Sequence, residues 1–148
     1  MSDSADNMGA VAGSAEFERL FFSMRHTLRR LNLGDYIYDD LIVYIGEMCR
    51  NIEVLELNSR TLSDAAVAHM LNRAEHLKVI DVSGLVDFTG LALTDVHENN
   101  FGAKGLEWLV LNMQGHELIV VKERLAELAP NCKVRLEPLK AKKYFPVE

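Results

Sequence analysis

Cysteine is scarce in this chain. Cys49 and Cys132 are the only two among 148 residues, far apart and in no metal-type cluster. That excludes a disulfide-framed miniature domain and a zinc finger, and it points to reduced thiols in an intracellular compartment. Long apolar runs are missing too; none approaches the ~20 residues that span a bilayer, so no membrane insertion is expected. Positive charge is not in excess: 16 Lys and Arg stand against 22 Asp and Glu, a net charge of −6. No whole-protein field therefore draws the chain to nucleic acid or an anionic membrane. The catalytic signatures are absent as well, with no GxGxxG after a strand, no GxxxxGK[ST] and no GxSxG. The five histidines, His26, His69, His76, His97 and His116, pair with no cysteine or carboxylate at metal-ligand spacing. Asp39 and Asp40 are adjacent, so on a helix they diverge, and helix capping explains them better than catalysis. The expectation is no enzyme, no catalytic or metal-binding residue, no cofactor and no small-molecule substrate.

What is present is repetition. The stretch LEWLVLN at 106–112 returns as LKVIDVS at 77–83, IEVLELN at 52–58 and LRRLNLG at 28–34. Aliphatic residues hold the first, fourth and sixth places. The starts Leu28, Ile52, Leu77 and Leu106 are 24, 25 and 29 residues apart. Such a period, built on LxxLxL, signals stacked repeats in which each strand sends alternate residues into a shared core.

Taken in order, residues 1–15 have few bulky apolar groups and read as a disordered tail, without the basic start and apolar core of a secretory signal. Phe17, Leu20, Phe21, Met24 and Leu28 make one helical face, expected to shield the open end of the stack. In the first repeat, Asp39 or Asp40 caps a helix whose buried face is Leu41, Tyr44, Ile45 and Met48. In the second, Ser63 and Asp64 start a helix with Val67, Met70, Leu71 and Ala74 inward. The third repeat is the longest. Gly84, Gly90, Gly102, Gly105 and the polar run 97–100 suggest a loop with only a short helix. The fourth carries an amphipathic helix, Leu118, Val121, Leu125 and Leu128 on one side, Lys122, Glu123, Arg124 and Glu127 opposite. A final edge strand is expected over 133–137. Residues 139–148, with Lys140, Lys142, Lys143, Tyr144 and Phe145, form a basic, aromatic tail.

Cys49 stands three places before Ile52, and Ala74 holds the matching place before Leu77. This pattern resembles the cysteine-containing leucine-rich repeats of F-box-type substrate adaptors. The resemblance implies an α/β solenoid over residues 16–138, with parallel strands on its concave face and helices on its convex face. It also implies that Cys49 is a small buried apolar group at a repeat boundary. No F-box is visible, because the helix over 17–28 lacks its Leu-Pro opening. The closing repeat, with LEWLVL at 106–111, KERL at 122–125 and LAPNCKV at 128–134, is similar to that of ATP synthase coupling factor B and the distal membrane arm assembly protein. That likeness implies an assembly subunit of a mitochondrial complex.

The concave face is then where binding is expected. Register places Arg30, Asn32 and Gly34 there, then Val54, Glu56 and Asn58, then Val79, Asp81 and Ser83, then Trp108, Val110 and Asn112. One row becomes Arg30, Val54, Val79, Trp108, and a second Asn32, Glu56, Asp81, Val110 with two acids adjacent. An exposed tryptophan beside valines suggests an anchor for a protein partner. The expected role is a non-catalytic interaction scaffold. The alternatives are a structural subunit of a large mitochondrial or ciliary complex and an adaptor of the ubiquitin system. The expected location is cytoplasmic, with the mitochondrion as the alternative.

Overall fold

Alternating aliphatic residues become strands at each place the repeat marks. The computed structural model describes residues 12–34, 38–59, 61–85, 88–90, 93, 96 and 101–137, with side chains from Ala15 onward. The strands are β1 (Arg30–Leu33), β2 (Val54–Ser59), β3 (Val79–Leu85), β4 (Trp108–Leu111) and β5 (Lys133–Leu136). Helix α1 (Ala12–Ser23) precedes them, and α2 (Asp39–Met48), α3 (Asp64–Arg73) and α4 (His116–Leu128) fill three of the crossings. All five strands pair in parallel, in chain order. The molecule is thus an α/β protein with one five-stranded parallel sheet and four described helices. The expected tails at 1–11 and 139–148 and the polar run at 97–100 lie outside the described residues.

One hydrophobic core joins both layers. Leu55, Leu57, Ile80, Val82, Leu109 and Leu111 from the strands meet Leu41, Ile42, Ile45, Val67, Met70, Leu71, Val121, Leu125 and Leu128 from the helices. Leu28, Ile52, Leu77 and Leu106 open the four repeats. The last three are fully buried, and Leu28, at the end of the stack, is only partly so.

Helix ends are tied across repeats. Asp39 does not cap its own helix: α2 starts at Tyr38 with no side-chain cap. Its carboxylate instead accepts from the Ser63 amide at 2.9 Å and hydroxyl at 2.7 Å, while Ser63 caps α3 through the Ala66 amide at 3.3 Å. One repeat on, Asp64 accepts from the Thr89 amide at 3.2 Å and hydroxyl at 2.6 Å. At the other helix ends, Cys49 and Ala74 occupy the same C-cap position of α2 and α3. Both are buried.

Further expectations need correction. Helix α1 begins at Ala12, inside the segment read as tail. Phe21 is its buried residue and Leu20 is 48% exposed, the helix presenting a narrower stripe to the core than its spacing suggests. In the long crossing from β3 to β4, expected as a loop with only a short helix, the described residues Leu93, Val96, Phe101 and Ala103 are all buried. Two of its glycines are required: a Cβ at Gly102 would overlap the Asn72 carbonyl oxygen, and Gly90 has φ +89°. Last, Arg124 is not a solvated charge on the back of α4. Its guanidinium donates to the carbonyls of Leu93, at 3.1 Å, and Val96, and pairs with Glu127 at 2.7 Å.

Candidate functional site

The sheet face turned away from the core keeps two of the expected rows. Register joins Arg30, Val54, Val79 and Trp108 across β1 to β4, and Lys133 continues the row on β5. Asn32, Glu56, Asp81 and Val110 form the second row, which Arg135 extends. Strands ~4.8 Å apart set these side chains side by side.

The third row does not form as expected. Asn58 pairs with Gly84 and not with Ser83, because β3 takes one extra residue where the register shifts between Glu56 and Asn58. Gly84 makes this possible: a Cβ there would overlap the Asn58 amide. Val82 and Ser83 stand where β2 has only Leu57, and Ser83 is buried. Gly34 and Asn112 follow the last residues of β1 and β4, so they extend no row.

Accessibility divides the expected residues. In the first row Arg30 is exposed, Val54 and Val79 are half-buried and Trp108 is 38% exposed. The Lys133 ammonium lies 5.5 Å from the centre of the indole ring, within cation–π range. Asn32 and Asn112 are exposed, and Glu56 is half-buried. Asn58, Asp81, Ser83 and Val110 are buried, so they offer a partner little surface. Alternation along a strand fixes which face a side chain takes, but not whether that position is open to solvent.

The charges are arranged just as unevenly. In the second row the Asn32 amide donates to Glu56 at 2.8 Å, and Arg135 pairs with Glu137 at 2.8 Å. Asp81, 5% exposed, accepts from the Ser83 amide at 2.9 Å and hydroxyl at 2.6 Å. Asn58 donates weakly to Asn32 at 3.5 Å, and its own amide oxygen is buried without a hydrogen bond among the described residues. Just ahead of the strands, Arg29 pairs with Glu53 at 3.1 Å, and Lys78 and Glu107 are exposed. Lys133 and Arg135 were absent from the expected site, although the alternation KVRL that marks β5 puts them one strand further along the same two rows.

The thiols lie away from this face. Cys49 is buried and its Sγ–H points to the Phe21 carbonyl at 3.5 Å, tying α1 to the first repeat boundary. Burial pushes its pKa up. Burial likewise pushes Cys132 up to about 11, partly offset by a hydrogen bond with the backbone of Leu109. Both cysteines are free. Among the described residues, no three His, Cys, Asp or Glu side chains gather where they could hold a metal ion, and no helix is long and apolar enough to cross a membrane. No family model and no curated protein matches this chain.

Proposed function

We propose that the chain is a short leucine-rich-repeat solenoid of the cysteine-containing kind, a non-catalytic scaffold that docks a protein segment on the sheet face bearing Trp108. The in-order parallel sheet, the spacing of LxxLxL and the matched burial of Cys49 and Ala74 support the architecture. The observation that carries the function is Trp108: a large indole, 38% exposed, next to Val79 on a sheet otherwise lined by short or polar side chains. An aromatic group held by a rigid strand is the kind of residue that dominates interfaces, because little entropy is lost when it binds. The two free cysteines fit a reducing intracellular compartment.

A second reading, a subunit buried in a larger assembly through its helices, draws on Ile119, Leu20 and Phe22. These apolar residues are 53%, 48% and 45% exposed on α4 and α1. Affinity capture from cells with wild-type protein, Trp108→Ala and Ile119→Lys separates the two. For the scaffold, Trp108→Ala weakens partner recovery at least about tenfold, as for an anchor worth ~2 kcal/mol, with the thermal midpoint scarcely moved. Loss with Ile119→Lys alone favours the assembly subunit. If Trp108→Ala leaves partner recovery unchanged, the docking surface is elsewhere.

A further inference from the structure

The first row ends in a cation on each side. Arg30 stands on β1 and Lys133 on β5, both exposed, and among the described residues neither has a carboxylate within ion-pair distance. The acids of the same face are engaged: Glu56 holds the Asn32 amide, and buried Asp81 holds Ser83. Ahead of the strands the signs balance, with Arg29 on Glu53 and one exposed charge each from Lys78 and Glu107. We infer that this face takes an extended acidic segment, its apolar side chains over Val54, Val79 and Trp108 and its carboxylates at Arg30 and Lys133. The inference rests on the docking role proposed above and names the chemistry of the partner.

Geometry sets the pattern. Four inter-strand gaps of ~4.8 Å put the two cations about 19 Å apart, which an extended chain covers in about six residues. The middle of that segment must be apolar. A central carboxylate would lie about 7 Å from Glu56, two residues along the strand from Val54, and would be repelled. The sequence alone points the opposite way, because Glu56 and Asp81 together suggest a basic partner. Both acids lie in the second row and Asp81 is buried, whereas Arg30 and Lys133 stand exposed at the two ends of the first row and set the sign there.

Three synthetic peptides test this, each with five aliphatic or phenylalanine residues between its two end residues, which are both Glu, both Gln or both Lys, so that the ends lie six steps apart on one face. Binding is read from the fluorescence of Trp108, the one tryptophan in the chain, and by calorimetry. The Glu peptide should bind about tenfold more tightly than the Gln peptide at low salt, with the gap closing as salt rises. Arg30→Glu and Lys133→Glu should each erase that gap, and the double variant should prefer the Lys peptide; circular dichroism verifies that these exposed substitutions leave the fold intact. Equal binding of the Glu and Gln peptides, preference for Lys in the wild type, or no binding at millimolar peptide overturns the inference. If Trp108→Ala abolishes partner capture while both charge reversals leave it intact, the docking role stands and the acidic partner falls. If Trp108→Ala is also without effect on capture, the docking role falls with it.

Discussion

From Ile52 to Leu77 the chain advances one strand in 25 residues; from Leu77 to Leu106 it takes 29. In the shorter step, α3 fills the crossing and its contacts recur one repeat apart. Asp39 reaches Ser63, Asp64 reaches Thr89, and Cys49 and Ala74 fill equivalent boundaries. In the longer step the contacts occur once each. Gly102 presses on the Asn72 carbonyl, Arg124 reaches back to the Leu93 and Val96 carbonyls, and β3 carries one extra residue between Asp81 and Gly84. Periodic contacts are many and individually modest, so each is replaceable. Contacts made once have no counterpart elsewhere among the described residues, and breaking one should cost more.

Asp81→Lys, in the irregular step, should have the largest effect. It puts an ammonium where a carboxylate 5% exposed now accepts two hydrogen bonds from Ser83, and about 3 kcal/mol or more of stability should be lost. Urea unfolding measures it, and a variant as stable as the wild type would show that the site opens readily. Arg124→Met comes next. It keeps the aliphatic stem on α4 but removes the donors that serve two carbonyls, and about 2 kcal/mol is expected from the same titration. Hydrogen exchange should then rise first in the β3–β4 crossing.

In the regular step, Asp39→Ala should cost about 1 kcal/mol, the usual scale for an interaction at a helix N-terminus, because Ser63 still caps α3 unaided. A loss as large as that for Arg124→Met would erase the distinction between the two steps. The smallest effect is set for Cys49→Ala, roughly 1 kcal/mol or less if the boundary repacks as it does around Ala74. The thiols add a kinetic measure. Burial raises both pKa values, so both thiols are protonated at neutral pH and should label slowly. Labelling of Cys132 should accelerate as pH climbs toward about 11, while Cys49 should stay slow until the protein unfolds.

Strand positions and the first two rows were readable because the repeat and the two-residue alternation are both strong: Leu106, Leu109 and Leu111 can only be core. Where the reading missed, the deciding contact joined residues distant in sequence. Nothing local to Gly84 says that an amide from β2 will press against it, so the register shift was hidden. Arg124 sits in a run of charges and looks solvated until the carbonyls of Leu93 and Val96 are placed beside it. Val110 and Asp81 fall in the expected row and are nevertheless buried, because alternation along a strand does not ensure contact with water. Asp39 looked like the cap of its own helix because capping is read along the chain, whereas its partner, Ser63, lies one repeat away.

The order of the sheet has a mechanical consequence. Each strand pairs only with the strand before it and the strand after it, so β1 and β5, the first and last strands of the chain, are also the two edges of the sheet. Tension applied between β1 and β5 acts across the strands, along their hydrogen bonds, so it loads the outermost pairs first and peels them away. Once β1 or β5 yields, its neighbour becomes the new edge under the same load. A pulling trace should extend in steps of one repeat, and the step that releases the β3–β4 crossing should be the longest.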